Sequence, residues 1–214
     1  MGQQLGQHPL SMIIGLTGLS GAGKNHVAKI LAQWGLDILD VDTLGHRATE
    51  LEKEKIIDSF GRDILDGQGN IDRRILGSIV ANSPEKLNRL EEIIHPRARA
   101  LVQDWIKSQS NKNLVINAAL LHESGLEDQL SFILLIQAPL ILRALRIRRR
   151  DKLPFKLIFS RFYAQRNFFA QYFSLHTDIY RVKNWAFPGF SRKAQEKRLK
   201  KRLKTILQAE GMAE

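Results

Sequence analysis

Short, continuous apolar runs alternate with longer amphipathic segments along most of this chain. The runs at residues 13–17, 36–40, 113–117 and 132–136 predict buried strands, and residues 179–182 predict a last one. Between them, apolar residues recur at the three- and four-residue spacing of helices. Strands that alternate with helices favour a parallel sheet covered on both faces. The pattern therefore predicts an α/β fold.

Helix signals are densest between the second and third predicted strands. Residues 56–60 and 72–80 have helical spacing, and Ser83 followed by proline is typical of a helix start. We expect this last helix to be broken near Pro96, because proline lacks the N–H group that a helix interior needs. Residues 43–108 are therefore predicted to form a helical insertion between two strands.

The pattern divides the chain into a core and three further segments. A polar leader without a signal-peptide core precedes Met12, and an aromatic, basic stretch after the fourth strand could close as a lid. The predicted segments are a leader at 1–11, a nucleotide-binding core at 12–42, 109–150 and 176–210, the insertion at 43–108, and a lid at 151–175.

The first predicted strand leads into a glycine-rich loop with the spacing G-x-x-x-x-G-K, and a helical pattern follows the loop. In this arrangement backbone N–H groups and the helix N-terminus bind phosphate oxygens, and Lys24 supplies a point charge. A chance glycine-rich turn is disfavoured, because the flanking strand and helix would also have to be accidental. The predicted phosphate contacts are Gly18, Ser20, Gly21, Ala22, Gly23, Lys24, Asn25 and His26.

Asn25 departs from this pattern, which has Ser or Thr after the lysine. The usual hydroxyl binds Mg²⁺. Because Mg²⁺ prefers oxygen ligands and retains several waters, an amide oxygen could replace the hydroxyl, directly or through water. We therefore predict that Asn25 is the metal-side residue of an ATP–Mg²⁺ site.

Two carboxylates follow the second predicted strand. Asp40 and Asp42 would lie at the carboxyl end of that strand, the edge at which parallel sheets bind ligands. A carboxylate there could accept a proton from a hydroxyl group or help to hold Mg²⁺. The alternative is a solvated aspartate or a helix cap, and position alone does not decide between them.

A basic segment follows the fourth predicted strand. If it is helical, Arg143, Arg146 and Arg150 share one side, and Arg161 lies further along in the predicted lid. Arginines stabilise the charge of a phosphoryl group in transfer. The alternative is a solvated basic face, which is the more common role of any single arginine.

The composition limits the class of protein. The chain has 214 residues, of which 43% are hydrophobic, so it can form a sizeable core. The net charge of +11 suits nucleotides, coenzymes or nucleic acid as partners. No apolar run is long enough to span a membrane. The absence of cysteine excludes disulfides and is compatible with the predicted cytoplasmic location.

Several further patches occur in an order that resembles the dephospho-coenzyme A kinase family. They cover roughly residues 13–151, and their order is more specific than the loop alone. The patches are Ile14-Gly15-Leu16-Thr17-Gly18, Leu39-Asp40-Val41-Asp42, Phe60-Gly61-Arg62-Asp63-Ile64-Leu65, Gly69-Asn70-Ile71-Asp72-Arg73-Arg74, Ile94-His95-Pro96, Leu120-Leu121-His122-Glu123-Ser124-Gly125-Leu126 and Arg146 with Arg150-Asp151.

The resemblance implies a P-loop kinase fold and phosphorylation of the ribose 3′-hydroxyl of dephospho-coenzyme A, the last step of coenzyme A synthesis. It implies Asp42 as general base, Lys24 and Arg146 as catalytic residues, and ATP and Mg²⁺ as cofactors. The remaining implied nucleotide contacts are Arg150 and Asn184. The implied substrate contacts are Asp40, His95, Arg99, Leu120 and Arg161.

The chain also departs from the family pattern. Asn25 and His26 replace Ser-Thr, Ala119 stands at a usual proline, and the similarity falls after residue 151. Two alternatives follow. One is a P-loop kinase for another nucleoside-like substrate, and the other is a catalytically weakened nucleotide-binding protein that contacts nucleic acid through its basic C-terminal helix.

Overall fold

The computed structural model describes residues 12–81, 83–109, 113–119, 121, 126–165, 168, 177–185 and 191–212. The predicted leader at 1–11, Leu120 and much of the predicted lid lie outside the described residues. In the described part of the chain, no helix is long and apolar enough to cross a membrane.

The core is a five-stranded parallel sheet whose strand order is β2-β3-β1-β4-β5. β1 lies between β3 and β4, and Leu16 pairs in register with Asn117 on one side and Leu134 on the other. The predicted strands and the α/β fold are confirmed. The strands are β1 Ile13–Thr17, β2 Asp37–Asp40, β3 Leu114–Asn117, β4 Phe132–Gln137 and β5 Ile179–Lys183.

The helices follow the predicted apolar spacing. On the last helix the residues Leu199, Leu203, Ile206 and Leu207 form one buried face against the sheet. The helices are α1 Lys24–Gln33, α2 Val41–Leu51, α3 Lys53–Phe60, α4 Arg73–Ala81, α5 Pro84–Ser108, α6 Leu140–Asp151, α7 Phe155–Ala164 and α8 Arg192–Ala209.

The chain forms two compact units. The first contains Met1–Leu39 and Ser110–Glu214, and the second contains Asp40–Gln109. The core of the first unit lies between the sheet, α1 and α8. The second unit has its own core, which is built on Ile56, Ile64, Leu76 and Val80. The predicted insertion at 43–108 falls within the second unit.

The predicted break near Pro96 is wrong, because α5 runs through this residue from Pro84 to Ser108. A proline inside a helix removes one backbone hydrogen bond. The loss is tolerated here because α5 packs along α2, and because Arg97 Nε forms an ion pair with Glu52 Oε1 at 2.7 Å directly after the proline. The start of α5 was predicted correctly, since Ser83 Oγ accepts a hydrogen bond from Lys86 N.

Candidate active site

The glycine-rich loop lies between the carboxyl end of β1 and the start of α1. Gly23 is the N-cap of α1 and has a left-handed backbone with φ 97°, which glycine adopts without strain. Lys24, the first residue of the helix, donates from Nζ to the carbonyl of Gly18 at 3.1 Å. The loop therefore places a helix N-terminus and a lysine ammonium at the sheet edge where parallel strands bind ligands.

Side chains from outside the loop bind its carbonyl oxygens. Arg143 Nε donates to Ser20 O at 2.8 Å. Arg146 Nη1 donates to Gly21 O at 3.3 Å and to Ala22 O at 3.1 Å. These bonds fix the orientation of successive peptide groups before a ligand arrives, which is the preorganisation that electrostatic catalysis requires.

Arg143 is the most buried of the basic residues on α6. Only 6% of it is exposed, and its guanidinium lies 4.1 Å from the centre of the Phe162 ring. Burial lowers the pKa of Arg143 to about 10, so the side chain stays charged near neutral pH. The alternative of a solvated basic face is wrong for Arg143, whereas Arg148 and Arg149 on the same helix are exposed.

The end of α7 also contacts the loop. Gln165 Oε1 accepts a hydrogen bond from Ser20 N at 3.1 Å. Ser20 is therefore bound on both sides, by Arg143 through its carbonyl and by Gln165 through its N–H group. The sequence alone did not assign either contact, because both depend on how α6 and α7 pack.

Arg150 and Arg161 meet at one carboxylate. Arg150 Nε donates to Asp151 Oδ1 at 2.6 Å, and Arg161 Nη1 donates to Asp151 Oδ2 at 3.2 Å. The hydrogen bond from Arg150 lowers the pKa of Asp151, to which the charge of Arg161 also contributes. The hydrogen bond from Arg161 on α7 to Asp151 thus ties α7 to the end of α6. The phosphate and substrate roles of these two arginines remain predictions.

The side chain of Asn184, directly after β5, also contacts the loop. Its Nδ2 donates to Ala22 O at 3.0 Å, and the backbone carbonyl of Asn184 accepts from Arg146 Nη2 at 2.9 Å. The structure therefore brings together the predicted loop residues, Arg146 and Asn184.

A cavity of about 740 Å³ opens beside this cluster and is largely basic. It lies against the start of α1, the end of β5 and one face of α8. Its lining includes His26, Arg146, Lys183, Asn184, Trp185 and Arg198. Trp185 and Lys183 were not predicted as site residues, and Lys183 Nζ lies 4.9 Å from the centre of the Trp185 ring.

Asn25, the predicted metal-side residue, is the second residue of α1 and is exposed. Its Oδ1 accepts a hydrogen bond from Nδ2 of Asn117, the last residue of β3, at 3.3 Å. Asn117 is 4% exposed, and its buried Oδ1 has no hydrogen-bond partner within the described part of the chain. The loop pattern predicted Asn25, but no sequence signal pointed to Asn117, because a polar residue at a strand end is common.

The second unit contains four further predicted residues: Asp40, Asp42, His95 and Arg99. Asp40 ends β2 and caps α2 by accepting a hydrogen bond from Asp42 N at 3.1 Å, so the helix-cap alternative describes Asp40. Asp42 lies in the first turn of α2 with an exposed side chain. On α5, His95 is half-buried and Arg99 is exposed.

Glu52 links the helices of this unit. It is buried, and its carboxylate pairs with Lys55 Nζ at 2.6 Å and with Arg97 Nε at 2.7 Å. The hydrogen bonds from Lys55 and Arg97 lower the pKa of Glu52. This ion pair network holds α5 against the end of α2 next to the segment that carries His95.

Comparison with known proteins identifies the family of this chain. The family model described as CoaE, dephospho-CoA kinase, matches residues 12–170. The chain belongs to the dephospho-CoA kinase family. It is 34% identical to the dephospho-CoA kinase of Treponema denticola over 194 residues, which are 85% of this chain and 86% of that protein. It is 36% identical to the Thermus thermophilus enzyme over 159 residues, 74% of this chain and 76% of that one.

Solved structures of similar fold include a dephospho-CoA kinase and a more distant kinase. A Thermus thermophilus structure has a TM-score of 0.77 and 31% identity, and covers 93% of this chain and 97% of its own. The dephospho-CoA kinase from Campylobacter jejuni has a TM-score of 0.63 and 27% identity, with 92% and 98% covered. Shikimate kinase from Bacteroides thetaiotaomicron, at 16% identity and a TM-score of 0.50 with the same coverage, shares the P-loop kinase fold alone. This chain is therefore a kinase of the P-loop class.

Proposed function

We propose that this protein transfers the γ-phosphoryl group of ATP to the ribose 3′-hydroxyl of dephospho-coenzyme A, which is the last step of coenzyme A biosynthesis. The observation that carries the proposal is the phosphate loop, in a chain of the dephospho-CoA kinase family. Its carbonyls are bound by Arg143, Arg146 and Asn184. Family membership favours this reaction over a nucleotide-binding protein that contacts nucleic acid.

The loop would bind the phosphates of ATP through its N–H groups and the α1 N-terminus, with Lys24 on the β- and γ-phosphates. Phosphoryl transfer needs little covalent chemistry from the protein, so positioning and charge stabilisation account for most of the catalysis. A loop whose carbonyls are already bound does not have to reorganise when the transition state forms.

Asp42 is our assignment for the carboxylate that orients the acceptor hydroxyl and takes its proton. Asp40 is bonded to Asp42 N and thereby fixes the first turn of α2. An exposed carboxylate directly after a strand of the sheet has the chemistry of a general base. His95 and Arg99 on α5 are our candidates for contacts with the coenzyme portion of the substrate, and Leu120 and Arg161 are further ones.

ATP implies Mg²⁺ as its companion, and the residues at the metal position fit such an ion. Asn25 supplies an amide oxygen where P-loop proteins have a hydroxyl, and the buried Oδ1 of Asn117 lies beside it. When bound, the ion supplies positive charge to the phosphate oxygens. Asn25 and Asn117 would orient the waters or phosphates around it.

The cavity beside the loop suits the adenosine half of ATP. Its volume of about 740 Å³ is in the range of small-molecule sites. Trp185 offers an aromatic surface for a purine, and Arg146 and Asn184 connect this cavity directly to the loop. We further propose that the reaction takes place in the cytoplasm.

A panel of acceptors tests the substrate class. ADP release is followed with purified protein, ATP and Mg²⁺ while dephospho-coenzyme A, adenosine, shikimate or no acceptor is added. We expect kcat/KM for dephospho-coenzyme A to exceed the others by at least about a hundredfold, because a site that binds the whole coenzyme gains from its remote groups. Faster turnover of another acceptor would replace the proposed substrate.

A further inference from the structure

Asn25 follows the loop lysine, where P-loop proteins have a hydroxyl that binds Mg²⁺, and Asn117 at the end of β3 contacts it, so the two form a pair of neutral amides. Nδ2 of Asn117 donates to Oδ1 of Asn25, and this bond uses one of the two lone pairs of that oxygen. No other described residue is recorded as a hydrogen-bond partner of either oxygen, so the second lone pair of Asn25 Oδ1 and both lone pairs of Asn117 Oδ1 can take another ligand.

The burial of Asn117 makes its oxygen informative. Asn117 is 4% exposed, and among the residues that the structure describes its Oδ1 has no hydrogen-bond partner. Its position in register with Leu16 of β1 places it at the same sheet edge as the start of the phosphate loop. Buried polar atoms are normally paired, and an orphan at a functional site indicates an ion or a water that completes it.

We propose that Asn117 is a second metal-side residue of this protein, and that the Asn25–Asn117 pair binds the divalent cation only together with the nucleotide. The proposal rests on the proposed function, since it requires nucleotide binding at the loop. The proposal goes beyond that function, because it assigns a role to Asn117 and predicts how metal binding and nucleotide binding depend on each other.

The charge of the pair determines that dependence. Amide oxygens are suitable ligands for Mg²⁺ but carry no net charge, so they attract a free divalent ion much less than a carboxylate does. Among the described residues, no group of three His, Cys, Asp or Glu side chains could hold a metal ion. In this proposal the negative charge that retains the cation comes from the nucleotide phosphates.

Replacing one amide with a carboxylate tests the proposal without measuring turnover. We would prepare Asn117→Asp and Asn25→Asp, and measure ADP affinity by calorimetry with and without Mg²⁺. Binding of Mn²⁺ without nucleotide would be measured by electron paramagnetic resonance. Asn25 is exposed, so its variant remains informative if a buried carboxylate at position 117 prevents folding.

For both variants we expect Mg²⁺ to increase ADP affinity by roughly tenfold more than it does in the wild type, as an added charge near the ion predicts. Without metal, ADP should bind more weakly, because the new carboxylate repels the phosphates. The wild type should show no saturable Mn²⁺ site without nucleotide, whereas the variants should gain one.

Asn113→Asp is the matched control. Asn113 directly precedes β3, so it lies at the opposite end of the strand that Asn117 ends, and its Oδ1 accepts from Met12 N, which a carboxylate also does. This variant adds the same charge away from the loop and should behave like the wild type.

Each contrary result has its own meaning. If both loop-side variants match Asn113→Asp in metal dependence, the assignment of Asn117 is overturned. Saturable Mn²⁺ binding to the wild type without nucleotide overturns the dependence of the neutral pair on the nucleotide. If the wild type binds no ADP with or without Mg²⁺, the proposed function fails, and this inference fails with it.

Discussion

Arg146 and Asn184 donate to the same carbonyl oxygen. Arg146 Nη1 lies 3.1 Å from Ala22 O and Asn184 Nδ2 lies 3.0 Å from it, while Arg146 Nη2 donates to Asn184 O at 2.9 Å. This closed set of bonds joins α6, the end of β5 and the phosphate loop. The contacts of Arg146 in this structure are therefore with the loop backbone, and its action on phosphates remains a prediction.

The Arg146 contacts predict that shape matters more than charge at this position. Arg146→Ala should weaken ADP binding by about 10- to 100-fold, since bonds from a charged donor are worth about 1.5–3 kcal/mol. Arg146→Lys should be almost as weak, because an ammonium group cannot span the carbonyls that the planar fork reaches. Calorimetry with ADP measures both. Arg149→Ala, on the exposed side of α6, is the control, and rescue by lysine would favour a simple charge role.

Gly23 tests the geometry of the loop. A Cβ at this position would collide with Asn184 Nδ2, and the backbone has φ 97°, so Gly23→Ala should lower ADP affinity by at least about tenfold. Gly45→Ala in α2 is the matched control, because a Cβ there meets no atom of the described residues within 4 Å. That change should raise the free energy of unfolding by about 0.5–1 kcal/mol. Calorimetry and thermal melting of both variants check the contrast, and wild-type ADP affinity in Gly23→Ala would contradict it.

Much of the core was predictable because buried parallel strands have a strong sequence signal. Short, continuous apolar runs such as those of β3 and β4 are typical of strands that are covered on both faces. The glycine spacing before Lys24 requires a strand before it and a helix after it. The phosphate loop was therefore predictable from local sequence alone.

The failures come from tertiary contacts that local patterns do not encode. Pro96 signalled a break, but the pairing of Arg97 with Glu52, far apart in sequence, holds the helix together. Arg143 resembled any other member of a basic face until α7 covered it with Phe162. Asn117 could be singled out as a candidate site residue only after the structure showed its hydrogen bond to Asn25 on α1.

The role of Asp42 is tested by removing its charge alone. Asp42→Asn should reduce kcat by at least about a hundredfold, the usual effect of losing a general base, with little change in ADP affinity. The Asp40 cap bonds the backbone of residue 42, so folding should persist. Steady-state kinetics and melting curves check this. Asp58→Asn, at an exposed position of α3, is the control, and near-normal turnover in Asp42→Asn would remove Asp42 from its proposed role.

Glu52 predicts a pH dependence of stability in the second unit. Hydrogen bonds from Lys55 and Arg97 lower the pKa of Glu52 below its ordinary 4.5. The ionised carboxylate therefore contributes to the free energy of unfolding above pH 4.5. The contribution is lost as pH falls through the lowered pKa. Glu52→Gln should therefore destabilise the protein near pH 7, and the difference from the wild type should shrink on acidification.

Urea unfolding of wild type and Glu52→Gln at several pH values measures this difference. Glu54→Gln, which changes an exposed carboxylate on the same stretch of chain, should show no comparable loss at neutral pH. A difference between wild type and Glu52→Gln that stays constant with pH would mean that the ion pairs of Glu52 do not stabilise the fold.

Formation of the product itself is the most direct measurement. Purified protein is incubated with ATP, Mg²⁺ and dephospho-coenzyme A, and coenzyme A is quantified by mass spectrometry against Lys24→Ala and the exposed control Lys29→Ala. We expect rapid formation of coenzyme A by the wild type and by Lys29→Ala, and a loss of at least about a hundredfold in Lys24→Ala, which lacks the phosphate-binding charge. Absence of coenzyme A from the wild-type reaction, while ATP still binds, would contradict the proposed function.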